Sequence, residues 1–223
     1  MKIWALLAQT TVEGEAYDMR LYQRGDEFSI KTGYSELMNS RMHSSEDLLA
    51  ELGCRALKQG QKSRVLIGGL GMGYTLAAAL KHAPDDAEII VAELVPAVIE
   101  WNRTYLSHLA NHPLKDKRVT VYEGDVGVLM RQDNMGFAAI LLDVDNGPDG
   151  LTRQENGALY SAKGLKSAKA ALRPHGILGV WSAFPEPRFT KKMKQAGFQT
   201  EEVACRAHGQ RGSKHIVWLG VRP

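Results

Sequence analysis

Cysteine is nearly absent: the 223 residues hold two, Cys54 and Cys205. Two isolated thiols among apolar neighbours supply neither a disulfide framework nor the spacing of a zinc site, and are expected as buried thiols of a reducing cytoplasm. Long apolar runs are also missing. No stretch approaches the roughly 18 residues of a membrane span, and residues 3–8 are too short for a signal-peptide core and lack a cleavage pattern. Charge imbalance is small, with 28 Lys and Arg against 25 Asp and Glu, net +3. That removes the electrostatic case for a nucleic-acid partner; Lys191, Lys192 and Lys194, and Arg206, Arg211 and Lys214, read as solvated faces. The seven histidines show neither H-x-x-x-H nor H-E-x-x-H spacing, so no metal is expected. His82, His108, His112 and His175 fall at helix ends or in turns. No nucleophile elbow, internal repeat or low-complexity segment is present. What remains, 44% hydrophobic and 24% charged, is an ordinary globular composition at a length suited to one large domain with a small appendage.

The most informative feature is the run RVLIGGLGMGYT at residues 64–75, with Glu93 twenty residues beyond its last glycine. A short buried strand at 64–68 runs into Gly69, Gly71 and Gly73, and a helix follows at 74–82. Glycines at such a junction permit the sharp turn and leave room for a ligand at the helix start. Glu93 closes a second strand, 88–93, where a carboxylate can accept hydrogen bonds from ribose hydroxyls. The dinucleotide fingerprint calls for a further glycine at position 74, and this chain has Tyr74. A bulky residue there suits an adenosine ligand without pyrophosphate better than NAD.

From residue 63 strands and helices alternate. Strands are expected at 64–68, 88–93, 118–122, 138–143 and 177–182, and helices at 74–82, 95–110, 125–132, 157–172 and 186–196. That alternation implies right-handed crossovers and a parallel sheet covered on both faces. Residues 199–206 and 215–221 are β-rich with no helix between, so they should pair antiparallel at one edge. Seven strands with that closing hairpin describe a Rossmann-like class I AdoMet-dependent transferase fold. Upstream, residues 17–22 and 27–31 read as a hairpin, 36–38 as a further strand, and Ser44 or Ser45 as the cap of a helix reaching about Leu57. Residues 1–45 are expected to form a small β appendage, and 46–223 the main domain.

Ligands bind such sheets at the carboxyl ends of the strands. There lie the glycine loop, Glu93, Asp125, Asp143 and Trp181. Asp125 can meet the exocyclic amine of adenine or simply cap its helix; both roles can coexist. Asp143, Asp145 and Asp149 crowd within seven residues. Asp143 and Asp145, at the strand end, are the candidates to hold a cationic acceptor or take its proton; Asp149 is assigned to turn chemistry. His43 precedes the lead-in helix, from where it could face the site.

These segments resemble the spermidine synthase family of polyamine aminopropyltransferases over roughly residues 17–185. VAELVPAVIEW at 91–101 is similar to the family's ribose-binding segment, YEGD at 122–125 to its adenine segment, and residues 143–148 to its acidic loop. The resemblance implies an adenosyl sulfonium donor held by Gly69, Gly71, Gly73, Glu93, Asp125 and Asp143. It also implies Asp143 and Asp145 as catalytic acids, Glu46, Asn146 and Trp181 on the acceptor side, and a homodimer. The departures gather on the acceptor side. Gly71 replaces an acid of the family's glycine loop, Leu49 a tyrosine, Asn146 the second aspartate and Trp181 a glutamine, and the chain ends sooner than typical members. Loss of the acid at position 71 leads us to expect S-adenosylmethionine rather than decarboxylated S-adenosylmethionine as donor, hence methyl transfer to a small acceptor, with an amine among the candidates. Aminopropyl transfer from the decarboxylated donor is the alternative. A non-catalytic nucleoside-binding relative is another, and an NAD enzyme is the reading Tyr74 opposes.

Overall fold

A computed structural model describes residues 2–12, 14, 16–132, 136–144, 156–208 and 211–223. Two sheets organise them. The first is a four-stranded antiparallel meander of β1 (Ala5–Thr10), β2 (Met19–Arg24), β3 (Glu27–Thr32) and β4 (Ser35–Asn39). Its second hairpin turns at Gly25 and Asp26, where Gly25 adopts φ +63°. Helix α1 (Ser44–Cys54) then leads into the second sheet.

That sheet has seven strands: β5 (Arg64–Gly68), β6 (Glu88–Glu93), β7 (Val119–Glu123), β8 (Phe137–Leu142), β9 (Leu172–Ser182), β10 (Gln199–His208) and β11 (Arg211–Val221), in the order β10-β11-β9-β8-β5-β6-β7. β5 through β9 pair in parallel, while β11 pairs antiparallel with both β9 and β10. The chain is thus a Rossmann-like α/β fold with an antiparallel C-terminal hairpin. Strands β5, β6 and β8 are near-continuous apolar runs because both of their faces are covered. One face carries α1, α2 (Tyr74–His82) and α3 (Pro96–Thr104); the small sheet joins this layer, with Leu21, Phe28 and Ile30 in one core with Val65, Ile67 and Leu141. The other face carries α4 (Val126–Arg131), α5 (Ala162–Ala171) and α6 (Pro187–Gln195) around Leu66, Ile140, Phe189 and Trp218. Strand order reverses between β5 and β8, so the segments leaving these two strands diverge and open a crevice. Gly69 and Asp143 are the first residues beyond them, and the Asp143 amide donates to the Gly68 carbonyl at 2.8 Å.

Several expected bounds shift for local reasons. β1 lacks alternation and was not expected. The helix expected at 95–110 ends at Thr104 and resumes as a 3-10 turn at Ser107–Ala110, with Asn111 and His112 in left-handed conformations. The helix expected from 157 starts at Ala162, because the Ser161 hydroxyl accepts from the Gly164 amide at 3.1 Å and sets the N-terminus there. Neither Ser44 nor Ser45 caps α1: the N-cap position is His43, without a side-chain cap, and the Ser45 hydroxyl is engaged elsewhere. Cys54 is buried as expected, whereas Cys205 is only half-buried on the edge strand β10. Among the described residues no helix is long and apolar enough to cross a membrane.

Candidate active site

A cleft of about 1410 Å³, counting its open mouth, lies over the carboxyl ends of β5, β6, β7 and β8. Its floor is built from Gly69, Leu70, Gly71, Glu93, Gly124, Asp125 and Asp143; Glu46 of α1, Tyr74 of α2 and Trp181 of β9 close one side. Met19, Ile30, Leu37 and Met38 of the small sheet, with Val12 of the β1–β2 connection, supply a further, apolar wall. The site is therefore charged at the strand ends and apolar where the meander covers it.

The glycine loop is shaped by contact. Gly69 has φ +90° and lies against the Asp143 carbonyl so closely that a Cβ would collide with it, so only glycine fits. Gly71, at φ +52°, faces the Met38 side chain, which a Cβ would meet at 3.1 Å. Gly73 departs from expectation. It does not line the cleft but forms the left-handed N-cap of α2, where a Cβ would press on Asn102 and Pro113. Its part is to turn the chain, and Asn102 fastens that turn by donating from Nδ2 to the Gly71 carbonyl at 2.7 Å.

Glu93 is buried and both of its oxygens are engaged by backbone: Oε2 accepts from the Leu70 amide and Oε1 from the Val95 amide, each at 2.9 Å. Burial raises its pKa, and the amides of Val95, Leu70, Gly71 and Leu94 pull it back down. Each carboxylate oxygen has a second lone pair, so the residue that fixes the loop can still accept from a ligand. Asp125 caps α4, accepting from the Gly127 amide at 2.8 Å, and pairs with Arg131 at 3.4 Å. It also lines the cleft, so capping leaves room for a ligand contact.

Asp143 and Glu46 form the electrostatic centre. Asp143 keeps some surface toward the cleft, yet enough protein surrounds its carboxyl to raise its pKa to about 6, against a lowering by the Thr75 hydroxyl that donates to it at 2.5 Å. Glu46 is raised to about 7, first by burial and then by the charge of Asp143, with a smaller lowering from the Ser45 hydroxyl, 2.6 Å away. Asp143 therefore ionises first, helped by Thr75, and Glu46 ionises against that charge. Two acids that resist ionising together form a site prepared for a cation.

The remaining candidates divide. Trp181 lines the cleft, and its buried indole Nε1 has no hydrogen-bond partner among the described residues. Leu49 points into the core and is fully buried, so its position faces no ligand. His43 stacks on Tyr74 with ring centroids 4.3 Å apart and pairs with Asp47 at 3.0 Å; it braces the wall rather than lining it. Asp145, Asn146 and Asp149 lie outside the described residues. Sequence reasoning missed His215, whose Nδ1 is 2.9 Å from Ser45 Oγ and whose ring meets Trp181 edge-on at 5.0 Å. It also missed Thr75 and the apolar wall of the small sheet. Among the described residues no three of His, Cys, Asp and Glu are grouped as metal ligands.

Known proteins are similar to this chain in sequence and in fold. A polyamine aminopropyltransferase of Mycobacterium tuberculosis is 34% identical over 134 residues, 58% of this chain and 24% of that protein. One of Nitrosomonas europaea is 27% identical over 125 residues, 56% of this chain and 37% of that protein. The chain thus covers well under two thirds of these curated relatives. In fold, the crystal structure of spermidine synthase from Thermotoga maritima superposes with a TM-score of 0.76 at 15% identity, over 98% of this chain and 72% of that one. A probable spermidine synthase from Corynebacterium glutamicum gives 0.65 at 15% identity, over 97% and 81%. Residues 42–204 match the model of the spermine/spermidine synthase domain, and the chain belongs to that family.

Proposed function

We propose that the chain is an aminopropyltransferase that takes its three-carbon amine group from decarboxylated S-adenosylmethionine and passes it to an amine. The observation that carries this reading is the pair Glu46 and Asp143. The glycine loop lacks an acid at Gly71, and on that ground S-adenosylmethionine and methyl transfer were expected. The fold supplies two other, partly buried acids to the same cleft. The carboxylate of S-adenosylmethionine would be repelled by them, whereas the decarboxylated donor brings only an ammonium and a sulfonium. The family match and the naming of the relatives favour the same donor. Aminopropyl transfer accordingly replaces methyl transfer as our reading.

The chemistry asks little of the protein beyond placement. The amine nitrogen attacks the carbon next to the sulfonium, the carbon–sulfur bond breaks with its electron pair going to sulfur, and methylthioadenosine leaves. The sulfonium is already activated, so orientation and exclusion of water supply most of the help. Glu93 would receive the ribose hydroxyls, Asp125 the adenine amine and Asp143 the donor ammonium, with the apolar wall drying the cleft. Competitive calorimetry tests the donor: decarboxylated S-adenosylmethionine should bind more tightly than S-adenosylmethionine, and incubation with an amine panel should release methylthioadenosine. Tighter binding of S-adenosylmethionine, with S-adenosylhomocysteine as product, would refute the reading.

A further inference from the structure

We propose that Glu46 takes the proton that the acceptor amine must shed, and that Ser45 and His215 carry that proton out of the cleft. The proposal rests on the aminopropyltransferase reading. Three groups stand in line: Glu46 Oε2 and Ser45 Oγ are 2.6 Å apart, and Ser45 Oγ and His215 Nδ1 are 2.9 Å apart. Glu46 lines the cleft, Ser45 is fully buried, and His215 is half-buried on β11, 170 positions away in sequence. The chain of contacts therefore runs from the reaction cavity, through the first turn of α1, to the C-terminal hairpin.

Hydrogen-bond accounting gives the line its meaning. The serine hydroxyl has one proton and sits between two titratable acceptors. Completing both bonds takes one further proton, held either by the Glu46 carboxyl or by His215 Nδ1. A buried serine placed only to satisfy itself needs one partner; this one has two, and both are titratable. Glu46 faces Asp143 of the β8 end, Asp47 of its own helix, Tyr74 of α2 and Cys205 of β10; His215 faces Trp181 of β9 and pairs with Cys205 across the hairpin. Burial, and then the charge of Asp143, pushes Glu46 toward holding a proton, and burial lowers the affinity of His215 for one.

Protons are conserved at each step. An acceptor ammonium gives a proton to the Glu46 carboxylate and becomes the neutral amine that attacks. Glu46 passes a proton to Ser45 Oγ as the hydroxyl gives its own to His215 Nδ1, and the imidazolium releases its Nε2 proton to water. Exchange with solvent, one proton taken up at Nε2 and one given up from Nδ1, restores the starting tautomer. Asp143, first to ionise, stays charged for the donor throughout.

The wiring is testable without turnover, by following the ring nitrogens of His215 by NMR across pH in the wild-type protein. Two steps are expected, the upper one reporting Glu46. Glu46→Gln should remove that step, Ser45→Ala should weaken it, and Ser45→Thr, which keeps a hydroxyl, should preserve it. A single His215 step, unchanged in all variants, would overturn the relay. With decarboxylated S-adenosylmethionine and an amine, Ser45→Ala should lower kcat near neutral pH by roughly 10- to 100-fold, up to the low end of what a positioned base contributes. Donor affinity should stay put, and the deficit should shrink as pH nears the amine's own pKa. An unchanged kcat across pH would also overturn the relay. Coupled titration without any aminopropyl turnover would leave the wiring standing and remove the transferase reading instead.

Discussion

Replacing Glu46 by Gln should make the protein more stable at alkaline pH while costing it activity. The carboxyl of Glu46 rises from 4.5 to about 7 in the folded protein, because burial and the charge of Asp143 oppose its ionisation. A raised acid binds more protons folded than unfolded. Its contribution is therefore complete below the unfolded value near 4.5 and is lost as pH climbs through the folded value near 7. A tenfold change in proton affinity on folding corresponds to about 1.4 kcal/mol, so the full cost at pH 8 is at most about 3 kcal/mol, and on the order of 1–3 kcal/mol once the sharing of charge with Asp143 is allowed for. Gln keeps the length of the side chain and an oxygen for the Ser45 hydroxyl, so the packing of the first turn of α1 is retained. For a chain of this size the gain amounts to roughly 2–12 °C in Tm. Thermal unfolding followed by circular dichroism at about pH 4 and about pH 8 checks it: the variant and the wild type should melt together at the lower pH and separate at the higher. A variant that melts no higher than wild type at alkaline pH, or a gap that ignores pH, would refute the reasoning. The expected stabilisation identifies Glu46 as a charge kept at the expense of the fold, which is where function is to be sought.

Other residues carry sharper structural consequences. Glu93→Ala should weaken methylthioadenosine binding by about 1.5–3 kcal/mol, the range for hydrogen bonds to a charged group; calorimetry showing an unchanged Kd would remove Glu93 from the ligand site. Gly69→Ala should destabilise the chain by roughly 2–4 kcal/mol, since the new Cβ meets the Asp143 carbonyl at a φ of +90°; urea unfolding indistinguishable from wild type would contradict the tight approach of Gly69 to that carbonyl. Arg118→Met should cost about 2–3 kcal/mol, because the guanidinium pairs with Asp116 at 2.9 Å and closes the end of α2 through the carbonyls of Leu80, Ala83 and Pro84. Its failure to lower Tm would show that solvent satisfies those carbonyls equally well.

How legible each part was in the sequence follows from the range of the interactions that decide it. β5, α2 and β6 occupy residues 64–68, 74–82 and 88–93 as expected, because a short apolar run, a glycine break and a helical stripe are all local. β1 escaped notice because ALLAQT is a half-exposed edge strand with no alternating pattern to betray it. The cap of α1 was misassigned for a related reason: a serine ahead of a helix is a sound local signal, but a long-range partner on β11 claims Ser45. Gly73 was grouped with its neighbours by spacing, whereas only the packing of Asn102 and Pro113 shows that it belongs to the turn. Asp143 could be read from its place at a strand end. His215 could not, since nothing in its neighbourhood distinguishes it from a surface histidine, and only the antiparallel return of β11 beside β9 brings it to Ser45.

The shift of negative charge from the glycine loop to α1 has a physical cause in the small sheet. An acid at position 71 would have to grow from a residue at φ +52°, a conformation that side chains seldom adopt. Its Cβ would start 3.1 Å from the sulfur and methyl of Met38. With β4 laid across the loop, that direction is occupied by apolar atoms, and a carboxylate there would be desolvated without a partner. Glu46 enters the same cleft from the first turn of α1, where Ser45 donates to it. Closing the cleft with the meander and supplying its charge from α1 are thus two sides of one arrangement. Under the proposed reading, the absence of the loop acid, which in sequence reads as the loss of an amine site, is offset by an acid brought to the same cleft from α1. The raised pKa of Glu46 has the same origin: an acid brought in over an apolar wall, opposite Asp143, stays uneasy as an anion until a cation arrives.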